Sequence, residues 1–177
     1  MRAAVFGFVL ALAMAGPVIA AAQVGVFISP SGEPFWPTAA APDGFDAWFA
    51  RVAGKDGRID RAAFRADATQ FFHHLDADGD GVIDGFEIAA YEKSVAAVLD
   101  IDGQGFASRR GDTIKASSLL DDPEPVSSAD TALNSHITLA EWLAAADHRF
   151  DILDDKHRGW LDHDGLRAKL PDWARKP

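Results

Sequence analysis

Acidic residues recur at alternate places in one short stretch near the middle of the chain, residues 76–87, which reads DADGDGVIDGFE. Calcium takes about six to eight hard oxygen ligands, and a twelve-residue loop supplies them from its positions 1, 3, 5, 7, 9 and 12. Those positions hold Asp76, Asp78, Asp80, Val82, Asp84 and Glu87, with Val82 offering its main-chain carbonyl. Carboxylates this close repel one another unless a cation lies between them. The spacing therefore predicts a calcium site.

Two other residues in this stretch suit the same interpretation. Gly81 stands where the loop must turn with a positive φ, a conformation that costs glycine little. Ile83 is the apolar residue expected in a short strand that faces a partner loop. A solvated acidic turn is the alternative, but a chance match to the whole signature is on the order of one in a thousand.

The flanking residues predict the helices that position this loop. Before it, apolar residues at helical spacing form one face: Phe64, Ala68, Phe71, Phe72 and Leu75. After it, the next helix has an apolar side: Phe86, Ile88, Ala89, Tyr91, Val95 and Val98. The adjacent His73 and His74 point in different directions around a helix, so one transition-metal site using both is not expected.

Three further segments share the register of this loop. In the complete loop and in each of these segments, a small residue at the sixth place is followed two residues later by an aliphatic one. The pairs are Gly57 and Ile59, Gly81 and Ile83, Ser135 and Ile137, and Gly159 and Leu161. The first and second segments are 24 residues apart, as are the third and fourth. This register predicts two copies of one helix–loop–helix pair, with the backbone around Ile59 paired to that around Ile83.

The other loops lack parts of the ligand set. The loop at 52–63 has no ligand at either end, and the loop at 154–165 carries Lys156 and Arg158 at ligand positions, so neither is expected to bind calcium. The two cations are expected to neutralise Asp154 and Asp162. The loop at 130–141 is a candidate for weak, millimolar binding through Asp130, Asn134, His136, Thr138 and Glu141.

Composition limits the class of protein. The 177 residues carry a formal net charge of −10, which argues against nucleic acid or an anionic membrane as a partner. There is no cysteine, and therefore no disulfide and no thiolate metal site. No catalytic motif is present, and the cluster of His157 and His163 with nearby aspartates is interpreted as a solvated polar turn. We do not expect an enzyme.

The organisation along the chain follows from the same patterns. Residues 1–22 have the charged start, apolar run and small-residue cleavage site of a signal peptide, so the protein is expected to be exported, periplasmic or secreted, with no stable membrane insertion after cleavage. The remaining segments are a Pro-rich extended arm (23–44), a first loop pair (45–99), a linker (100–128) and a degenerate second pair (129–171). The arm either docks on the core through Phe27, Ile28, Phe35 and Trp36 or stays loose.

The loop DADGDGVIDGFE resembles the EF-hand superfamily. The segments VFISPSGEPF, LLDDPEPVSSAD and LAEWLAAADHRFDILD extend the likeness to exported bacterial EF-hand proteins of the alphaproteobacterial type. This resemblance implies an all-α fold of two EF-hand pairs joined by a linker, with short β pairing between loops. It also implies calcium carried by the six residues of the complete loop.

Two functions are compatible with such a site. The first is a calcium-stabilised module or low-affinity calcium sensor. The alternative is an interaction module in which calcium exposes an apolar groove to a protein partner. Such grooves are usually rich in Met, and both Met residues of this chain lie within residues 1–22. The first function is therefore favoured.

Overall fold

Helices and short strands alternate along the stretches that the computed structural model describes, residues 24–41, 43–96 and 114–175. The α-helices of these stretches are α1 (Gly44–Val52), α2 (Arg61–Leu75), α3 (Gly85–Val95), α4 (Leu139–Leu153) and α5 (His163–Arg167). The strands are β1 (Val24–Ile28), β2 (Pro34–Phe35), β3 (Arg58–Asp60), β4 (Val82–Asp84), β5 (Ile114–Ser118), β6 (His136–Thr138) and β7 (Trp160–Asp162). Short 3₁₀ turns follow at Ser127–Ala129 and Asp172–Ala174. The expected signal segment, residues 1–22, lies outside the described residues.

The two longest helices, α2 and α4, pack against each other in opposite directions. Each begins at a side-chain cap, because the Asp60 carboxylate accepts from the Ala63 amide at 2.7 Å and Thr138 caps α4 in the same way. The predicted apolar face of α2 is confirmed, since these residues are buried: Phe64, Ala68, Phe71, Phe72 and Leu75. Arginines near the start of α2 pair with acids in the second half of α4, which fixes the antiparallel direction.

The loops pair in a different way from the prediction. Ile59 lies opposite Leu161 in the antiparallel pair β3–β7, and Ile83 lies opposite Ile137 in β4–β6. The predicted pairing of Ile59 with Ile83 is therefore wrong. The physical reason is that the 15-residue helix α2 is the element that joins these two loops, and it holds them about 22 Å apart at its opposite ends.

The expectation of an all-α fold is also wrong, because the described residues form a mixed α/β structure with three small sheets. The largest sheet has the order β2–β1–β5, with β1 antiparallel to β2 and parallel to β5. Its strands come from the Pro-rich arm and from the segment predicted as a linker. Backbone hydrogen bonding between segments some 90 residues apart left no local signal that would have marked either one as sheet.

The arm docks on the core, which decides the alternative left open by its sequence. Phe27 is buried against Phe45 and Trp48 of α1, with ring centroids 5.4 and 5.3 Å apart, whereas Trp36 is exposed. The first residue of α1 is glycine for a steric reason, because a Cβ on Gly44 would lie 2.1 Å from the Phe35 carbonyl oxygen. None of the described helices combines the length and the apolar composition that a membrane crossing requires.

A buried arginine anchors the segment that leads into β6. Arg149 of α4 donates through Nη2 to Asp122 at 3.2 Å, to the Pro125 carbonyl at 2.5 Å and to Ser128 Oγ at 2.8 Å. Burial lowers the pKa of Arg149, against the opposing effect of Asp122. This network sets the approach of the third loop to the end of the helix pair.

Acid is expected to loosen the contact between α1 and α5. The Asp46 carboxylate is hydrogen-bonded to His163 Nε2 at 2.7 Å and to Arg167. Burial acts to raise the pKa of Asp46, but these two donors bring it below 3.8. Because the folded-state pKa is the lower one, the stabilisation is complete above pH 3.8 and is lost as the pH falls through the folded-state value.

The measurement is the melting temperature from about pH 6 to about pH 2. The variant Asp46→Asn should start from a lower melting temperature and should lose less of it on acidification than the wild type. Parallel curves for the two proteins would show that this carboxylate does not link stability to pH.

Candidate metal centre

The loop between α2 and α3 is folded around the carboxylate of its first acid. The main chain leaves α2 at Asp76, whose two carboxylate oxygens accept from the amides of Gly79 at 2.9 Å and Gly81 at 3.0 Å. Both glycines have a positive φ, +77° and +87°, which turns the chain back toward Asp76. Asp76 itself is only 7% exposed. The predicted turn at Gly81 is confirmed, and Gly79 shares it.

Three acids of the loop converge. One carboxylate oxygen from each of Asp76, Asp78 and Asp80 lies within 4.8 Å of the others, the one such group found among the described side chains. The loop amides hold these acids in place, since Asp78 accepts from the Asp80 amide at 3.1 Å and Asp80 from the Val82 amide at 2.9 Å. Three carboxylates this close can hold a metal ion, and their hard oxygens fit a divalent cation such as calcium or magnesium.

The two later acids of the loop lie at the start of α3. Asp84 caps the helix by accepting from the amides of Phe86 at 2.8 Å and Glu87 at 3.0 Å. Glu87 reaches back to two parts of the loop, because it accepts from the Asp84 amide at 3.0 Å and from the Ala77 amide at 2.6 Å. The Glu87 side chain therefore joins the first part of the loop to the start of α3. The cluster of converging oxygens itself comprises Asp76, Asp78 and Asp80. Val82 lies in β4.

The third loop has the same backbone plan with fewer acids. Asp130 accepts from the amides of Asn134 at 3.2 Å and Ser135 at 2.7 Å, and the second of these bonds is equivalent to the one that Gly81 donates to Asp76. Hydrogen bonds from the Thr138 amide and hydroxyl lower the pKa of Glu141. Positions 3 and 5 are Ala132 and Asn134, so Asp130 is the single acid where the complete loop has three.

The strands and turns of this third loop match those of the complete loop. His136 is the first residue and Thr138 the last residue of the strand β6, which pairs with β4. Leu133 and Ser135 take the positive φ that glycines supply in the complete loop, at +54° and +60°. Side chains other than glycine adopt this conformation at a cost, so the pairing with β4 holds the third loop in a shape its own residues do not favour.

The fourth loop uses an arginine where the complete loop has an acid. Arg158 occupies the position equivalent to Asp80 and pairs with Asp162 at 2.7 Å, as predicted for that acid. Asp154 instead accepts from the amides of Arg158 at 3.0 Å and Gly159 at 2.7 Å. The guanidinium groups of Arg58 and Arg158 lie on the Trp160 ring, at 4.0 and 3.9 Å from its centroid. Ion pairing and stacking therefore stabilise this loop pair.

A groove adjoins the loop 76–87 on the side of α2 and α3. Its volume is about 390 Å³, and its lining includes Phe71, Leu75, Tyr91 and Val95 together with Glu87. On α3, Tyr91 and Val95 are buried as predicted, but Phe86 is 87% exposed, and Val98 lies outside the described residues.

Sequence reasoning missed the contact that holds Tyr91. Its hydroxyl donates to the Gly32 carbonyl at 2.7 Å, and Gly32 belongs to the Pro-rich arm. The helical spacing of Tyr91 predicted that it would be buried. It did not predict a hydrogen-bond partner 59 residues away in the sequence. Among known proteins, no family model matches this chain and no curated protein matches it, so its function is inferred from the geometry of these loops.

Proposed function

We propose that this protein binds one calcium ion in the loop 76–87, as an EF-hand site in an exported protein. The observation that carries the proposal is the convergence of carboxylate oxygens of Asp76, Asp78 and Asp80 within 4.8 Å. In the same loop, the Glu87 carboxylate accepts from the Ala77 amide, next to these acids. The ligands would be these four carboxylates with Asp84 and the Val82 carbonyl, all of them hard oxygens. Calcium suits this set better than magnesium, because magnesium requires a near-ideal octahedron.

Because its ligands come from the loop and from the start of α3, the bound ion would stabilise both of them at this end of the α2–α4 pair. The complete loop carries five acids in twelve residues, so the repulsion among them opposes folding until a cation is bound. Modules that work outside the cell bind calcium at about 10⁻⁴–10⁻³ M. In that range the protein would respond to external calcium, either as a stabilised module or as a low-affinity sensor.

The test is a calcium titration of the purified chain by calorimetry, together with its melting temperature. We expect one site per chain. At calcium about 100 times the dissociation constant, binding adds about 2.7 kcal/mol to the free energy of unfolding. For a chain of this size the melting temperature should rise by about 5–10 °C. A smaller rise with magnesium at the same concentration is the control, and a protein indifferent to calcium in both measurements would refute the proposal.

A second candidate function, calcium-dependent binding of a protein partner, is favoured by the groove of about 390 Å³ between α2 and α3. Its apolar lining would bind an apolar side of a partner. The expected result is a rise in the fluorescence of a hydrophobic dye when calcium is added, with no rise for magnesium. If dye binding does not depend on calcium, the groove is not controlled by the metal loop.

A further inference from the structure

Tyr91 joins α3 to two other parts of the molecule. It lies one helical turn beyond Glu87 and on the same face of α3. Its hydroxyl donates to the Gly32 carbonyl at 2.7 Å, and its ring meets Phe71 of α2 edge-to-face at 6.0 Å. The side chain is 7% exposed. Tyr91 is therefore held between the arm on one side and α2 on the other.

The turn that accepts this hydrogen bond is itself fixed. The Gly32 amide donates to the Ser29 carbonyl at 2.9 Å, and the Ser29 amide donates to the Glu33 carbonyl at 2.9 Å. The Glu33 carboxylate accepts hydrogen bonds from both terminal nitrogens of Arg51 of α1, at 2.7 and 2.6 Å. Arg51 also pairs with Asp67 of α2. The turn is thus tied to α1 and α2, and it offers Tyr91 a rigid anchor.

Among the described residues, the rest of α3 makes few such contacts. Its buried residues are Tyr91 and Val95, Ile88 is partly buried against the core, and Phe86 in its first turn is exposed. A further side-chain contact joins Glu92 to Ser127 at 3.0 Å, in an exposed position. The orientation of α3 relative to α2 therefore depends strongly on Tyr91. Because Glu87 is carried by α3 and the acid cluster by the loop leaving α2, that orientation sets how Glu87 meets the cluster.

We propose that Tyr91 is a positioning residue for the metal site, one that holds Glu87 over the loop through its hydrogen bond to Gly32. This inference rests on the calcium site proposed above. A ligand that is already in place loses less conformational freedom when the ion binds, so a preorganised Glu87 raises affinity. A change that loosens Tyr91 would alter none of the residues that ligate the ion, but it would still weaken calcium binding.

The variant Tyr91→Phe removes the hydroxyl and keeps the ring. In the full chain we expect its calcium affinity, measured by calorimetry, to fall about two- to tenfold, the range that one hydrogen bond supports. Without calcium, the Ala77 amide, which donates to Glu87, should exchange its hydrogen faster when followed by NMR. The matched control is Ser118→Ala, which deletes a hydroxyl-to-carbonyl bond of the same 2.7 Å length far from the loop in sequence.

A second variant acts on the other partner of the bond. Gly32 has a φ of +100°, and a Cβ there would lie 2.7 Å from the Tyr91 hydroxyl, so Gly32→Ala should weaken calcium binding in the same direction. If both variants lower the melting temperature equally with and without calcium and leave affinity and Ala77 exchange unchanged, Tyr91 has only a structural role. A wild-type chain that takes up no calcium overturns the proposed function and this inference with it. Normal wild-type binding with unchanged Tyr91→Phe affinity overturns this inference alone.

Discussion

Replacing Glu87 by Gln is expected to weaken calcium binding by more than about 100-fold. Changes to groups that merely support metal ligands cost about 10- to 100-fold in affinity, so the loss of a ligating carboxylate should cost at least as much. Glutamine keeps the length of the side chain but offers one neutral oxygen where glutamate offers two charged ones. The measurement is a calorimetric titration of the variant beside the wild type.

The matched control for this change is Glu141→Gln. Glu141 occupies the equivalent position in the third loop and accepts from the Thr138 amide at 3.0 Å, as Glu87 accepts from the Asp84 amide at 3.0 Å. Both variants therefore disturb a helix cap of the same design, but only Glu87 lies beside the acid cluster. If Glu87→Gln still bound calcium tightly while Glu141→Gln did not, the third loop would be the metal site.

Much of the candidate site could be predicted because its determinants are local. The positions of Asp76, Asp78 and Asp80 follow from a chain that curls at two glycines, and twelve consecutive residues contain the whole cluster. The buried face of α2 was predictable for the same reason, since helical spacing fixes which side chains share a side. Glu87 followed from its place in the loop, at the start of the next helix.

The fold was predicted less well, although one error was avoidable. Loops 24 residues apart leave room for a single helix between them once twelve residues are given to each loop. That helix is α2, and a rigid helix of about 22 Å cannot bring its two ends together. Each loop must then find its partner at the end of another helix, which α4 supplies. The pairing of Ile83 with Ile137 follows from this geometry.

The sheet and the ties to the arm were not predictable from local patterns. Strand β1 lies between β2 and β5, and three helices, α1, α2 and α3, separate it in sequence from its parallel partner β5. Four prolines in the arm correctly indicated an extended chain, but an extended chain forms a sheet only when a distant partner is present. The hydrogen bond from Tyr91 to Gly32 depends on that docking and was missed with it.

Truncating Trp142 to Ala is expected to lower the free energy of unfolding by about 3–5 kcal/mol. Trp142 of α4 is 1% exposed and packs on Phe71 and Phe72 of α2, with ring centroids 6.2 and 6.1 Å away. Its indole nitrogen donates to the Ala68 carbonyl at 2.7 Å, so the truncation leaves a cavity and also removes a buried hydrogen bond. A domain has only about 5–15 kcal/mol of stability in total.

The loss should be measured by urea denaturation with and without calcium, because α2 and α4 together carry both loop pairs at their ends. Phe86→Ala is the control, since Phe86 is also an aromatic side chain but is exposed, and its truncation should change stability by less than about 0.5 kcal/mol. A Trp142→Ala loss below about 1.5 kcal/mol would mean that the α2–α4 contact does not hold the loops in register. In that case the two loop pairs would have to be stabilised by their own strands, and calcium at 76–87 could stabilise only its own end of the molecule.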